Sequence, residues 1–446
     1  MQIRALLVNP WIYDFAAYDL WSKPLGLLRI GGVLRRLGCT VRLLDCLDRF
    51  HPAITDNVKK NPHNTYGSGP YQYEAIDKPP AFKDTPRRFK RYGLPIQTVK
   101  NILGEESAPD IILVTTGMTY WYPAYIDMIV LLKAIFPGSP VVLGGNYPNL
   151  CYDHANSLSG ADHIFKGTDI SKAIEFLDKI LGGRLIDDPK RLLPQTFPAY
   201  DLYRDIPYIT LKTSHGCPFR CTYCGWYLVD EIFHRQPPEL VIEEIVYFHN
   251  TMGICNFAFY DDALLFKAEE HFLKIASGII EKGVKANFLT PNGLHNKFLT
   301  ENVARIMKES GFQRPRLALE TSREERQLST GGKTTNKDFE AAVRNLTKAG
   351  YDRSEIGVYL LIGLPGQSMD EIEEAVRFVS KEGLRIHLEE YSPIPGTPDY
   401  KKSGLKADSD PLIHNNSVFP LYHAEESVRI QRLKDLARDL NKRLAA

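Results

Sequence analysis

The chain has 446 residues, 43% hydrophobic and 24% charged, with a formal net charge of +1. That length buries more than one core, and so balanced a charge gives no support for a nucleic-acid partner. No run of about eighteen apolar residues marks a membrane-crossing helix, and MQIRALLVNPW lacks the small-residue cleavage site of a signal peptide, so the expected compartment is the cytoplasm, where thiols stay reduced.

The apolar run at residues 3–10 ends in Asn-Pro and predicts a buried parallel strand. Leu27, Ile30, Leu34 and Leu37 recur at helical spacing ahead of Gly38, and TVRLLDC at 40–46 gives the next strand. The alternation then continues. PDIILVTTG is a strand, Ala124–Phe136 a helix, PVVLGG and ADHIFKG strands, and SKAIEFLDKIL a helix. Strands alternating with helices predict an α/β doubly wound, Rossmann-like parallel sheet over residues 1–185, whose ligands sit beyond the carboxyl ends of its strands. Residues 47–95, rich in Pro, Tyr, Lys and Asp, interrupt this pattern and read as an insertion, either a substrate lid or a decorated surface loop. Residues 186–205 carry several prolines and no clean period, and read as a linker.

From residue 206 to 400 six strand candidates (PYITLKTS, NFAFYDD, KANFLTP, PRLALET, SEIGVYLLI, RIHLEEY) alternate with helical patterns. Six units are too few for a closed eight-fold barrel, so a partial (β/α)6 TIM-like barrel is expected, with its site at the carboxyl ends of the strands. Residues 401–446 form a C-terminal extension ending in a basic helix, expected to be a solvated packing element.

Seven cysteines lie at 39, 46, 151, 217, 221, 224 and 255. The number is odd and three of them fall within eight residues, which is a poor disulfide framework and a good metal or cluster site. Those three, in SHGCPFRCTYCGW, follow the first strand of the second domain. Three thiolates spaced C-x-x-x-C-x-x-C can wrap an iron–sulfur cubane and leave its fourth iron open. The rival, a zinc knot, lacks a second Cys or His pair at zinc spacing.

This spacing, with Tyr223 just before the last cysteine, resembles the radical S-adenosylmethionine (SAM) superfamily over about residues 206–400. The resemblance implies a [4Fe–4S] cluster on Cys217, Cys221 and Cys224, whose open iron takes the amine and carboxylate of SAM, with an electron donor such as flavodoxin or ferredoxin. It also implies SAM-binding roles for Tyr223, for Asp261 and Asp262 after the second strand, for Asn292 in TPNGL, for Glu320 in LALETS, and for Gly363 and Gly366 in GVYLLIGLPGQS. For Asp261 and Asp262 a helix N-cap is the structural alternative. GLPG alone is usually a turn.

The first domain resembles the cobalamin-binding domain of class B members of this superfamily, through PLGLLRIGGVLRRLGCTVRLLD, VVLGGNYP and FKGTD. That implies cobalamin contacts at Thr115, Thr116, Gly144, Gly145 and Gly167, each also readable as an ordinary strand-end turn residue. The loop NPWIYDFAAYD has no histidine, so a bound cobalamin would not be His-ligated. Trp11, Tyr13, Tyr120, Trp121 and Tyr122 are candidates for an aromatic wall against a corrin, or for core. Cys39, Cys46, Cys151 and Cys255 are expected to be buried structural cysteines. The leading expectation is cobalamin-dependent methylation of an unactivated centre. The alternatives are a non-methylating rearrangement, cyclisation or sulfur insertion, and a non-catalytic cobalamin or cluster sensor. The sequence names neither the substrate nor a catalytic acid, base or nucleophile.

Overall fold

The computed structural model describes residues 2–55, 66–185, 196–419 and 427–444. The chain divides into two compact units, Met1–Pro207 with Asp410–Ile413, and Tyr208–Ser409 with His414–Ala446. Residues 186–195, within the expected linker, lie outside the described residues. Among the described residues, no helix is long and apolar enough to cross a membrane.

The first unit is built on β1 (Arg4–Asn9), β2 (Ile12–Asp14), α1 (Leu25–Arg36), β3 (Thr40–Asp45), β4 (Tyr73–Ala75), β5 (Lys90–Tyr92), α2 (Ile96–Glu105), β6 (Ile111–Val114), α3 (Tyr122–Ile135), β7 (Val141–Leu143), β8 (His163–Ile164) and α4 (Ile170–Ile180). Its main sheet is wholly parallel in the order β8-β7-β6-β1-β3. The order reverses between β1 and β6, which opens a crevice at their carboxyl ends. Leu7 sits in register with Leu43 on one side and Leu113 on the other. It packs in a core with Val33, Leu34, Val142, Ile174 and Leu177, so helices α1 and α4 bury their apolar stripes against this sheet. Asp169 starts α4 by accepting hydrogen bonds from the Ser171 and Lys172 amides.

The insertion carries strands that the sequence reading did not assign to it. Its short strands β4 and β5 join β2 in an antiparallel sheet ordered β2-β5-β4. A buried ion pair fastens it: Arg49 Nη1 lies 3.1 Å from Asp19 Oδ2, and Arg49 also donates to the carbonyls of Gly67 and Pro70. Residues 56–65 of the insertion lie outside the described residues.

The second unit runs β9 (Ile209–Leu211), α5 (Pro238–Met252), β10 (Asn256–Phe259), α6 (Phe272–Glu281), β11 (Asn287–Leu289), α7 (Glu301–Ser310), β12 (Arg316–Glu320), α8 (Asn336–Lys348), β13 (Gly357–Ile362), α9 (Met369–Lys381), β14 (Arg385–Glu390) and α10 (Ser427–Leu444). The strands pair in parallel as β9-β10-β11 and β12-β13-β14, and a parallel bridge between Leu294 and Leu317 joins the two halves. Six parallel strands with helices between them form an open half-barrel. Helices α7, α8 and α9 begin at Thr300, Thr335 and Ser368, whose hydroxyls cap the first turn. The basic helix α10 is more than a solvated element. Asn441 donates to the Ile386 carbonyl and accepts from the Ile386 amide, which covers the free edge of β14.

Candidate active site

The cysteine loop leaves β9 at its carboxyl end and is held on three sides. Asp261 Oδ1 accepts from the Thr213 amide at 3.0 Å, the Thr213 hydroxyl at 2.9 Å and the Ser214 hydroxyl at 2.5 Å. The Thr222 amide donates to the Thr330 carbonyl at 3.1 Å, and the Thr222 hydroxyl donates to Asp399 Oδ2 at 2.8 Å. Gly331 closes the contact on the Thr330 side. Its φ is +121°, and a Cβ there would stand 3.1 Å from the Cys221 Cα, so a side chain would push the cysteine loop away.

Cys217, Cys221 and Cys224 are free thiols, Cys221 buried and the other two half-buried. Burial pushes Cys217 up to about 11 and Cys224 up to about 12; Cys221 also rises through burial, opposed by Lys333. Such thiols become thiolates only when positive charge arrives, which is the chemistry of a metal-binding donor set. Among the described residues, no group of three or more His, Cys, Asp or Glu side chains closes to the spacing of a single metal ion.

Two carboxylates from the sequence reading face these thiols electrostatically. Asp262 acts on Cys217 and Cys224, and Glu320 on Cys221. Asp262 lies 3.1 Å from Lys212, whose ammonium sits 4.1 Å from the centre of the Trp226 ring. Burial raises Asp262 to about 6 against the pull of Lys212. Glu320 has a φ of +67° at a register shift in β12, a conformation that costs a non-glycine residue energy and clusters at functional sites. Its carboxylate pairs with Lys333.

The neighbouring candidates differ in what they have left to offer. Asp261 is committed to the Thr213–Ser214 turn, so it positions the cysteine loop rather than presenting a carboxylate to a ligand. Asn292 spends its amide N–H groups on the Tyr260 and Asp261 carbonyls, at 3.1 and 3.3 Å, which leaves its side-chain oxygen. Two residues before it, the buried Thr290 hydroxyl has no hydrogen-bond partner among the described residues. Gly363 and Gly366 have φ of +90° and +71°. Their turn is tied by Gln367, which accepts from the Gly363 and Leu364 amides and donates to the Leu361 carbonyl. Leu361 and Tyr223 pack together against Leu364, Tyr391 and Phe419, which links that turn to the cysteine loop.

Sequence reasoning missed Lys333, Lys212, Gln367, Thr222 and Asp399. The Gly-Gly-Lys-Thr run just before the Thr335 cap carried a signal for Lys333, because two glycines there forecast a loop that doubles back.

The first unit treats its strand ends differently. Thr116 Oγ1 donates to the Gly144 carbonyl at 2.9 Å and accepts from the Tyr147 amide at 3.1 Å. Gly145 has a φ of +100°, and a Cβ on it would lie 2.6 Å from the Thr116 carbonyl oxygen. The Gly167 amide donates to Asn149 Oδ1 at 2.7 Å. These three residues join β6, β7 and β8 to one another. Thr115 is half-buried at the end of β6, and a Cβ on Gly144 would meet nothing nearer than 3.9 Å, so neither is closed over as tightly as Gly145. Of the proposed aromatic wall, Trp11, Tyr13 and Tyr120 are buried core, while Trp121 and Tyr122 are half-buried. Trp11 and Tyr13 are hydrogen-bonded within the unit, to the Leu94 carbonyl and to Asp127.

The remaining cysteines correct an expectation. Cys39 and Cys46 are buried, but Cys151 is half-buried and Cys255 is exposed. Cys255 stands directly before β10, whose first residue is itself only half-buried.

Residues 211–379 match the radical SAM superfamily, and the second unit is a radical SAM domain. Comparison with known proteins extends the likeness to both units. The chain is 28% identical over 322 residues to an uncharacterized methyltransferase of Pyrococcus horikoshii, covering 65% of this chain and 68% of that protein. It is 21% identical over 345 residues to an anaerobic magnesium-protoporphyrin IX monomethyl ester cyclase of Synechocystis, covering 70% of this chain and 60% of the cyclase. Among solved structures, the radical SAM methyltransferase TsrM from Kitasatospora setae, with cobalamin and a [4Fe–4S] cluster bound, covers 90% of this chain and 74% of its own at a TM-score of 0.65 and 15% identity. The cobalamin-dependent radical SAM enzyme OxsB, with aqua-cobalamin and SAM bound, covers 94% of this chain and 56% of its own at a TM-score of 0.57 and 13% identity. At these identities the structural likeness is one of fold.

Proposed function

We propose that this radical SAM enzyme holds a [4Fe–4S] cluster on Cys217, Cys221 and Cys224, binds SAM beside it, and transfers a methyl group from cobalamin to an unactivated centre of its substrate. The observation that carries the reading is the set of three free thiols on one loop at the carboxyl end of β9, pinned there by Asp261, Thr330 and Asp399. Three thiols in a C-x-x-x-C-x-x-C run, with no second Cys or His pair at zinc spacing, suit a polynuclear cluster better than zinc. When bound, the reduced cluster and SAM supply a 5′-deoxyadenosyl radical, and cobalamin a transferable methyl group.

The chain's own residues bind, orient and exclude. Asp262, buried and facing Lys212, accepts the donor hydrogens of the SAM amine. Glu320, already strained into place, accepts from the ribose hydroxyls, and the unpartnered Thr290 hydroxyl and the Asn292 side-chain oxygen supply further polar contacts. Tyr223 closes the cluster off from the Leu364 core, and the turn from Gly363 to Gly366 brings backbone up to the adenine. In the first unit Thr115 and Gly144 offer open surface for cobalamin, with Thr116, Gly145 and Gly167 shaping the rim behind them.

A second reading keeps the radical chemistry and drops the methyl transfer. It is favoured by the internal use of Thr116, Gly145 and Gly167, and by the cyclase among the relatives. One experiment separates the two. The protein is purified anaerobically with hydroxocobalamin present, and corrin is quantified from its visible spectrum. Stoichiometric corrin, with SAM cleaved to 5′-deoxyadenosine under dithionite, is expected. SAM cleavage without bound corrin would reject the methyl-transfer reading, and absence of cysteine-dependent cleavage would reject both.

A further inference from the structure

Lys333 stands where three observations converge. Its ammonium pairs with the Glu320 carboxylate. It lies 5.5 Å from the centre of the Tyr223 ring, the residue between Cys221 and Cys224. Only 14% of its side chain is exposed. The chain goes to some length to put it there. Gly331 and Gly332, with φ of +121° and +60°, turn the loop back, and Thr330 binds the Thr222 amide, so Lys333 arrives beside the cysteine loop on a segment bonded to it. Glu320 reaches it from a strained position at the end of β12.

A surface ion pair in this arrangement would contribute little. A buried one costs desolvation, and replacing it with apolar side chains is often neutral or stabilising, so stability alone is a weak account of why it is here. Its distinguishing property is location. The Thr330 carbonyl accepts from the Thr222 amide and the Lys333 ammonium lies by the Tyr223 ring, so the ammonium sits beside the loop that carries the three thiols, with the Glu320 carboxylate paired to it. The cluster's reduction adds one electron, taken from the external donor, with no bond made or broken at the pair. An ammonium at that distance stabilises the electron-rich state, and a carboxylate opposes it.

We propose that the Lys333–Glu320 pair sets the reduction potential of the cluster on Cys217, Cys221 and Cys224, Lys333 raising it and Glu320 lowering it. The inference rests on the cluster reading above. It makes Lys333 a positioning and charge-setting residue, with Glu320 serving both the cluster and SAM.

The test is the cluster's midpoint potential, read by electron paramagnetic resonance during a dithionite titration without SAM at one fixed pH. Three variants of the full chain are compared: Lys333→Met, Lys333→Arg and Glu320→Gln. The expected result is a negative shift for Lys333→Met, a positive shift for Glu320→Gln, and a potential near wild type for Lys333→Arg. A purely structural pair would not move the potential in opposite directions. Shifts of the same sign, or unchanged potentials with iron retained, would overturn the proposal. Loss of iron from both Lys333→Met and Glu320→Gln would also overturn it, assigning the pair to folding. If Lys333→Met alone loses iron, the sign of the Glu320→Gln shift decides. Wild-type protein that takes up no cluster fails the proposed function instead, so the two failures are distinguishable.

Discussion

Both units are parallel α/β structures that keep their loops of interest at the carboxyl ends of strands, yet they finish those ends in opposite ways. In the first unit the polar groups are paired within the chain. Thr116 uses its hydroxyl both as donor and as acceptor, Asn149 binds Gly167, and Gly145 fits with no room for one carbon more. In the second unit, among the described residues, Thr290 keeps a buried hydroxyl without a partner, Glu320 is held at φ +67°, and one buried and two half-buried thiols share a loop with the ring beside the Lys333 ammonium. A strand end saturated by its own chain is a joint. One left strained and under-satisfied is prepared for a ligand that completes it.

The largest expected break in that contrast is Gly145→Ala. The new Cβ would press on the Thr116 backbone and side chain in a left-handed conformation. A loss of at least about 3 kcal/mol is expected. Hydrogen exchange of the full chain checks it, with protection lost in the first unit and kept in the second.

Next is the pH response of Asp48, buried near Lys23 and raised to about 6, chiefly by burial. A carboxyl whose folded value lies above its unfolded one contributes stability fully present below the unfolded value of 3.8 and lost as pH rises through about 6. The contribution is about 3 kcal/mol at most. Denaturant unfolding of Asp48→Asn should therefore gain on wild type between about pH 4 and pH 6 and hold that gain at higher pH. A gap independent of pH would show that folding leaves the proton affinity of this carboxyl unchanged.

The smallest effects sharpen the comparison best, because the same substitution is made at both kinds of end. Thr116→Val should cost about 2 kcal/mol, since it strands the Gly144 carbonyl and the Tyr147 amide. Thr290→Val removes a hydroxyl with no partner, so stability should be unchanged or higher by about 1 kcal/mol. SAM affinity, measured by equilibrium dialysis, should fall in the second variant alone. Equal destabilisation by both would erase the distinction.

The sequence made one part of this legible and hid another for a physical reason. Helices α7, α8 and α9 announce themselves because the capping threonines and serine and the apolar stripe sit in one local window. The three cysteines and Glu320 are readable because they form a spaced motif. The stretch 47–95 was not, because its strands are three residues long and pair with Ile12–Asp14, far away in sequence, where periodicity has nothing to register. The same holds for Asp261. Its residue type is plain, but the partners that consume it lie 47 and 48 residues upstream. Lys333 reaches Glu320 only because the Gly331–Gly332 turn folds back, a long-range contact that no local pattern states.

The most direct test of the account is the iron and sulfide content of the full chain after anaerobic reconstitution, beside Cys217→Ala, Cys221→Ala and Cys224→Ala. About four irons and four sulfides per wild-type chain, and their loss from each variant, are expected. Iron retained by the variants, or a single zinc in the wild type, would contradict it.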